Sequence, residues 1–188
     1  MDAIRNSEDR YRTLESFWKG QVRSKVWLVE SLEKYVTEPS SIVIHGGWNG
    51  VLASLLFNSN IPINKIYSYD IDENCEEVAS TVNKRQEIEG RFRAITGDIT
   101  MQLYRADIVI NTICEHLTQD EYDRWLKLTP EDALVVLQSN NFTMCEEHVR
   151  CANSLEDFIE QSGIEVIHAE EVEHFKYTRY MIIGKRFV

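Results

Sequence analysis

The chain has 188 residues, 43% of them apolar and 27% charged, which suits one globular domain with a real core. Its 31 acidic against 20 basic residues leave a net charge of −11, a balance that argues against a broad phosphate-backbone footprint and so against duplex DNA as a partner. Four scattered cysteines without a CxxC pair read as reduced thiols rather than a disulfide framework. The N-terminus carries no apolar signal core, and no apolar run nears the roughly 20 residues of a membrane span, so a soluble, cytoplasmic protein with no membrane partner is expected.

In chain order, residues 7–36 place Leu14, Phe17, Val22, Val26 and Leu32 at helical spacing, with Gly20 as the candidate break. Strand and helix then alternate. Strands are expected at 41–45, 65–69, 92–96, 107–111 and 133–138, where β-branched and apolar residues run together. Helices are expected at 51–58, at 72–89 up to Gly90, from Thr118 with Glu121 as its capping partner, and at 154–162 between Ser154 and Gly163. Residues 164–173 and 177–185 leave no room for a crossover helix and must pair antiparallel. The pattern is a doubly wound, mostly parallel α/β sheet of about seven strands with helices on both faces and a C-terminal antiparallel hairpin. One domain spans 1–188. The densest basic cluster, Lys84, Arg85, Arg91 and Arg93, reads as a solvated helix end and strand start.

The most informative segment is the glycine turn after the first strand, His45-Gly46-Gly47-Trp48-Asn49-Gly50. Glycines there let backbone approach a ligand without an intervening Cβ. About 20 residues on, the second strand ends in Asp70, where a carboxylate can accept hydrogen bonds from both hydroxyls of a ribose. A dinucleotide site would need Gly-x-Gly-x-x-Gly to cradle a pyrophosphate, and this turn lacks that spacing.

Taken together, these segments resemble the class I S-adenosylmethionine-dependent methyltransferases over about residues 40–186. Gly46 and Gly50 match the outer glycines of the family's first motif, Trp48 stands at the middle glycine, and Ile44 stands where an acid is common. Asp70 matches the ribose-binding acid, and Asp98 in Thr96-Gly97-Asp98-Ile99 the residue that meets the adenine. The resemblance implies S-adenosylmethionine as cofactor, held by His45, Gly46, Gly47, Trp48, Asp70, Ile71, Asp98, Ile99 and Asn111, with residues 1–38 as an N-terminal helical cover.

Methyl transfer from a sulfonium is an in-line displacement in which the enzyme orients donor and acceptor and excludes water. The candidate acceptor groups follow strand four, in Asn111-Thr112-Ile113-Cys114-Glu115-His116, and strand five, in Gln138-Ser139-Asn140-Asn141. Asn111, Glu115 and His116 are the catalytic candidates, because histidine can take a proton near neutral pH and a carboxylate can bind a cationic acceptor. Cys114 has no activating neighbour in sequence. Cys145, His148 and Cys151 could be read as metal ligands, but no fourth ligand stands at suitable spacing, so no metal is expected. The expected activity is methylation of a small polar metabolite. The alternatives are a protein or RNA acceptor, and an inactive S-adenosylmethionine-binding module that keeps the fold.

Overall fold

A computed structural model of the chain describes Ile4, Ser7 and residues 9–187. Among these, the strands are β1 (Ser40–His45), β2 (Ile63–Asp70), β3 (Phe92–Thr96), β4 (Ile108–Asn111), β5 (Leu134–Asn140), β6 (Ile164–Glu173) and β7 (Thr178–Arg186). They form a seven-stranded sheet in the order β3-β2-β1-β4-β5-β7-β6, mostly parallel with an antiparallel C-terminal hairpin, as the sequence leads one to expect. Residues up to Ile99 make one compact unit and those from Thr100 a second.

In the first unit β1 is buried through Ile42, Val43 and Ile44 and runs parallel to β2, with His45 opposite Tyr69. Strand β2 runs parallel to β3, with Asp70 opposite Thr96. The carboxyl ends of three strands therefore lie side by side, and the chain leaves them at His45, Asp70 and Thr96. Helix α1 (Arg10–Glu15) and helix α2 (Lys19–Leu32) precede β1, α3 (Val51–Phe57) follows it, and α4 (Asn74–Val82) and α5 (Lys84–Ile88) follow β2. Leu28 and Leu32 bury the inner stripe of α2, which packs on α3.

Two helices differ from expectation. The break in the first helical segment falls at Ser16–Trp18 rather than Gly20. There Ser16 Oγ donates to the Thr13 carbonyl at 2.7 Å, Phe17 and Trp18 N–H donate three residues back, and Trp18 turns extended. The single helix expected over 72–89 is two, parted at Asn83. Its buried Nδ2 donates to the Gly50 and Ala79 carbonyls, both at 3.0 Å. An asparagine that bonds backbone competes with the helix ladder, and the bond to Gly50 ties this break to the glycine turn.

In the second unit β4 and β5 run parallel, with Asn111 opposite Leu137, and β5 pairs antiparallel with β7, with Asn140 opposite Arg179. Val135, Val136, Leu137, Met181, Ile182 and Ile183 fill the core here. A short 3₁₀ turn (Cys114–His116) leads to α6 (Gln119–Leu128), and α7 (Leu155–Ser162) precedes the hairpin. Thr118 and Glu121 close a capping box on α6, and Gly163 ends α7 at φ 59°. No helix among the described residues is long and apolar enough to cross a membrane.

Candidate functional site

The first unit presents a glycine turn strapped to the end of β2. The Gly47 N–H donates to the Tyr69 carbonyl at 2.9 Å. That approach is so close that a Cβ on Gly47 would stand 1.9 Å from Ser68 Oγ. The next residue, Trp48, is held at φ 46° and is the one non-glycine residue with positive φ among the described residues, a conformation that costs of order 1 kcal/mol or more and clusters at functional sites. Its N–H donates to Asp70 Oδ2 at 2.8 Å, while Asp70 Oδ1 accepts the Asp72 N–H at 3.1 Å. Two backbone donors thus fix the carboxylate. It is only half buried, and each oxygen keeps a second lone pair for an incoming hydroxyl.

Around Asp70 the sequence candidates divide. Ile71 is 77% exposed, an unusual state for a large apolar side chain, whereas Ile99 is buried and Asp98 is exposed. The His45 side chain is completely buried, and burial pulls its pKa from 6.5 down to about 3. Its ring is a neutral core group, so a ligand could meet only its backbone. Helix α1 reaches this site through an Arg12–Asp72 ion pair. Burial would raise the Asp72 pKa, but the hydrogen bonds from Asn74 and the Arg12 guanidinium outweigh it and hold the carboxyl below its ordinary range. Tyr11 and Trp18 of the N-terminal segment stand 86% and 70% exposed, so core packing does not account for them. The arrangement fits the ribose end of a nucleoside: an oriented carboxylate that keeps acceptor capacity, beside an exposed apolar side chain.

The second unit gathers a different set. Asn111, ending β4, accepts the Ile113 N–H on Oδ1 at 3.0 Å, which starts the 3₁₀ turn and buries Glu115. Glu115 Oε1 accepts from Asn140 Nδ2 at 2.5 Å and faces Arg179 Nη1 at 3.5 Å. Arg179 also donates to the Thr112 carbonyl at 3.1 Å. Three of these residues and the neighbouring Ser139 keep polar capacity inside: Glu115 Oε2, Asn111 Nδ2, Arg179 Nε and Ser139 Oγ are buried without a hydrogen-bond partner. Buried polar groups are nearly always satisfied, so such a cluster marks a place where a ligand can complete the bonding.

His116 is exposed and does not cap the next helix, since Thr118 does. Its ring instead lies edge-on to His148, with centroids 4.7 Å apart. Burial pushes the Cys114 thiol up to about 12, which removes it as a nucleophile. In the hairpin, Tyr180 is buried and Phe175 is 99% exposed. The basic cluster is largely neutralised locally, Lys84 by Glu87 and Arg85 by Glu89. Sequence reasoning missed Arg179, because an arginine in a hairpin gives no local sign that it will pair with a carboxylate 64 positions earlier.

Comparison with known proteins separates fold from sequence. No family model matches the chain, and neither does any curated protein. Solved structures match closely in shape. The pyocyanin biosynthetic protein PhzM superposes with a TM-score of 0.69 at 17% identity, over 99% of this chain and 61% of that one. Magnesium protoporphyrin IX methyltransferase (ChlM) from Synechocystis PCC 6803, solved with bound SAH, gives 0.65 at 16% identity over 89% and 82%. The [4+2]-cyclase SpnF gives 0.68 at 9% identity over 87% and 81%. The chain therefore has the class I S-adenosylmethionine-dependent methyltransferase fold.

Proposed function

We propose that this protein transfers a methyl group from S-adenosylmethionine to a small polar acceptor. The observation that carries the reading is Asp70. It ends β2 beside the glycine turn, is oriented by the Trp48 and Asp72 N–H groups, and keeps acceptor sites for a ribose diol. Gly46, Gly47 and Trp48 would line the cofactor with backbone, as would His45, while Ile71, Asp98 and Ile99 would meet the adenine. When bound, the cofactor supplies an electrophilic methyl on a sulfonium. What the protein must add is orientation and exclusion of water.

Asn111, Glu115 and His116 would receive the acceptor. The unpartnered Asn111 Nδ2 and Glu115 Oε2 suit an acceptor that brings both an oxygen and a donor group, and His116 would take its proton where it carries one. A protein or RNA acceptor remains the enzymatic alternative. The reading as an inactive binding module draws on Trp48, a strained bulky residue where the family has a glycine. With 31 acids to 20 bases, no duplex DNA partner is proposed.

Calorimetric titration with S-adenosylmethionine, S-adenosylhomocysteine and NAD tests the cofactor. Either adenosyl compound should bind and NAD should not. Asp70→Ala should weaken binding by about 1.5–3 kcal/mol, the worth of hydrogen bonds to a charged group, while the variant stays folded. NAD binding alone, or unchanged affinity in folded Asp70→Ala, would overturn the assignment.

A further inference from the structure

We propose that Glu115, His116 and His148 form a binding site for one divalent first-row transition ion of the zinc class. The ligating atoms of the three side chains lie within 4.8 Å of one another, though His148 is 32 positions beyond His116 in the chain. The fold brings it back deliberately. The Val149 and Arg150 N–H groups both donate to the Glu115 carbonyl, at 2.9 and 3.0 Å, so the residue next to His148 is pinned to the turn that carries the other two ligands.

Each side chain is set up for coordination. His148 Nδ1 lies 2.7 Å from the Phe142 carbonyl. A carbonyl can only accept, so Nδ1 carries the proton and Nε2 is left with its lone pair. A backbone carbonyl holding the far nitrogen is the usual outer support of a metal-bound histidine. Glu115 is likewise divided. Asn140 and Arg179 hold Oε1, while Oε2 is buried without a partner in a residue only 2% exposed. A buried carboxylate oxygen with no donor is costly, and a cation beside it is the natural remedy. His116, exposed and edge-on to His148, gives the ion a way in.

Two imidazoles and one carboxylate are an intermediate donor set. Magnesium and calcium prefer oxygen alone, whereas zinc and its neighbours take nitrogen with one carboxylate and leave a position open. A ligand at that open position, water or an acceptor oxygen, would have its pKa lowered. The ion would then take over the task given above to His116, and the acceptor would be an oxygen compound able to coordinate. That last step rests on the proposed function; the site itself does not.

The test uses the full chain, stripped with chelator and without cofactor, titrated with Zn²⁺ by calorimetry and with Co²⁺ by visible absorption. One ion per chain should bind, and Co²⁺ should show the intense bands of a four- or five-coordinate site. His116→Ala and His148→Ala, neither side chain being in the core, should each lower affinity by about 100-fold or more with an unchanged thermal melt. Glu115→Gln should do the same if it folds. Cys145→Ser with Cys151→Ser should bind as the parent does. Absence of binding in the parent would overturn the proposal, as would histidine variants that bind normally or a cysteine variant that does not. Metal binding without adenosyl-cofactor binding would leave this site standing and remove the methyltransferase reading, and the reverse would do the opposite.

Discussion

At the scale of single residues the glycine turn works by contact distance more than by flexibility. Gly47 lets the turn hydrogen-bond to β2 because there is no room for a side chain beside buried Ser68. Gly47→Ala should therefore cost about 1–3 kcal/mol through overpacking, read as a lower midpoint in urea. Ser68→Ala in the same chain should recover part of the loss, because the hydroxyl oxygen is the atom struck. A Gly47→Ala variant as stable as the parent would mean that the turn can move away from β2. Adjacent residues can thus have opposite reasons for being what they are. Gly47 answers to sterics, while Trp48 sits in a conformation that glycine would adopt more cheaply, with the Lys25 ammonium 5.9 Å from its ring centroid.

At the scale of elements, the features legible in the sequence are those whose cause is local. The capping box of α6 needs only Thr118 and Glu121, and the end of α7 needs only Gly163. Thr118→Ala should cost about 1 kcal/mol, the usual worth of such a cap, measured by thermal unfolding; no loss would show that tertiary packing of Tyr122 and Trp125 alone holds the helix. Two of the errors have distant causes, whereas the break at Ser16–Trp18 is made by bonds within its own segment. Asn83 breaks the helix over 72–89 by bonding to Gly50, 33 positions away. Strand β5 outruns its expected end at Gln138 through Ser139 and Asn140, both buried. Polar residues at a strand end read as loop, yet here they are strand because they border the cluster that holds Glu115. The candidate site was legible to the same degree. Asp70 stands at a fixed interval from the turn and could be found by counting, but the partners of Glu115 come from β5 and β7 and could not.

For the molecule as a whole, stability should depend on pH through His45. Its side chain is neutral in the fold because burial holds its pKa near 3, against 6.5 in an exposed chain. The unfolded chain therefore binds a proton between those values that the folded chain refuses. Stability from this source is fully present above pH 6.5 and is lost as pH falls toward 3. Carboxylates ordinarily titrate near 4, so the interval from pH 7 to 5.5 isolates the histidines from the general discharge of a chain carrying 31 acids. Over that interval His45 should remove about 1 kcal/mol of unfolding free energy. Urea denaturation at both pH values measures it directly. His45→Gln, uncharged at any pH, should be less stable at pH 7 but lose less on acidification. Equal acid losses in the parent and in His45→Gln would show that the imidazole is already open to solvent protons, and that the carboxyl end of β1 breathes beneath the glycine turn.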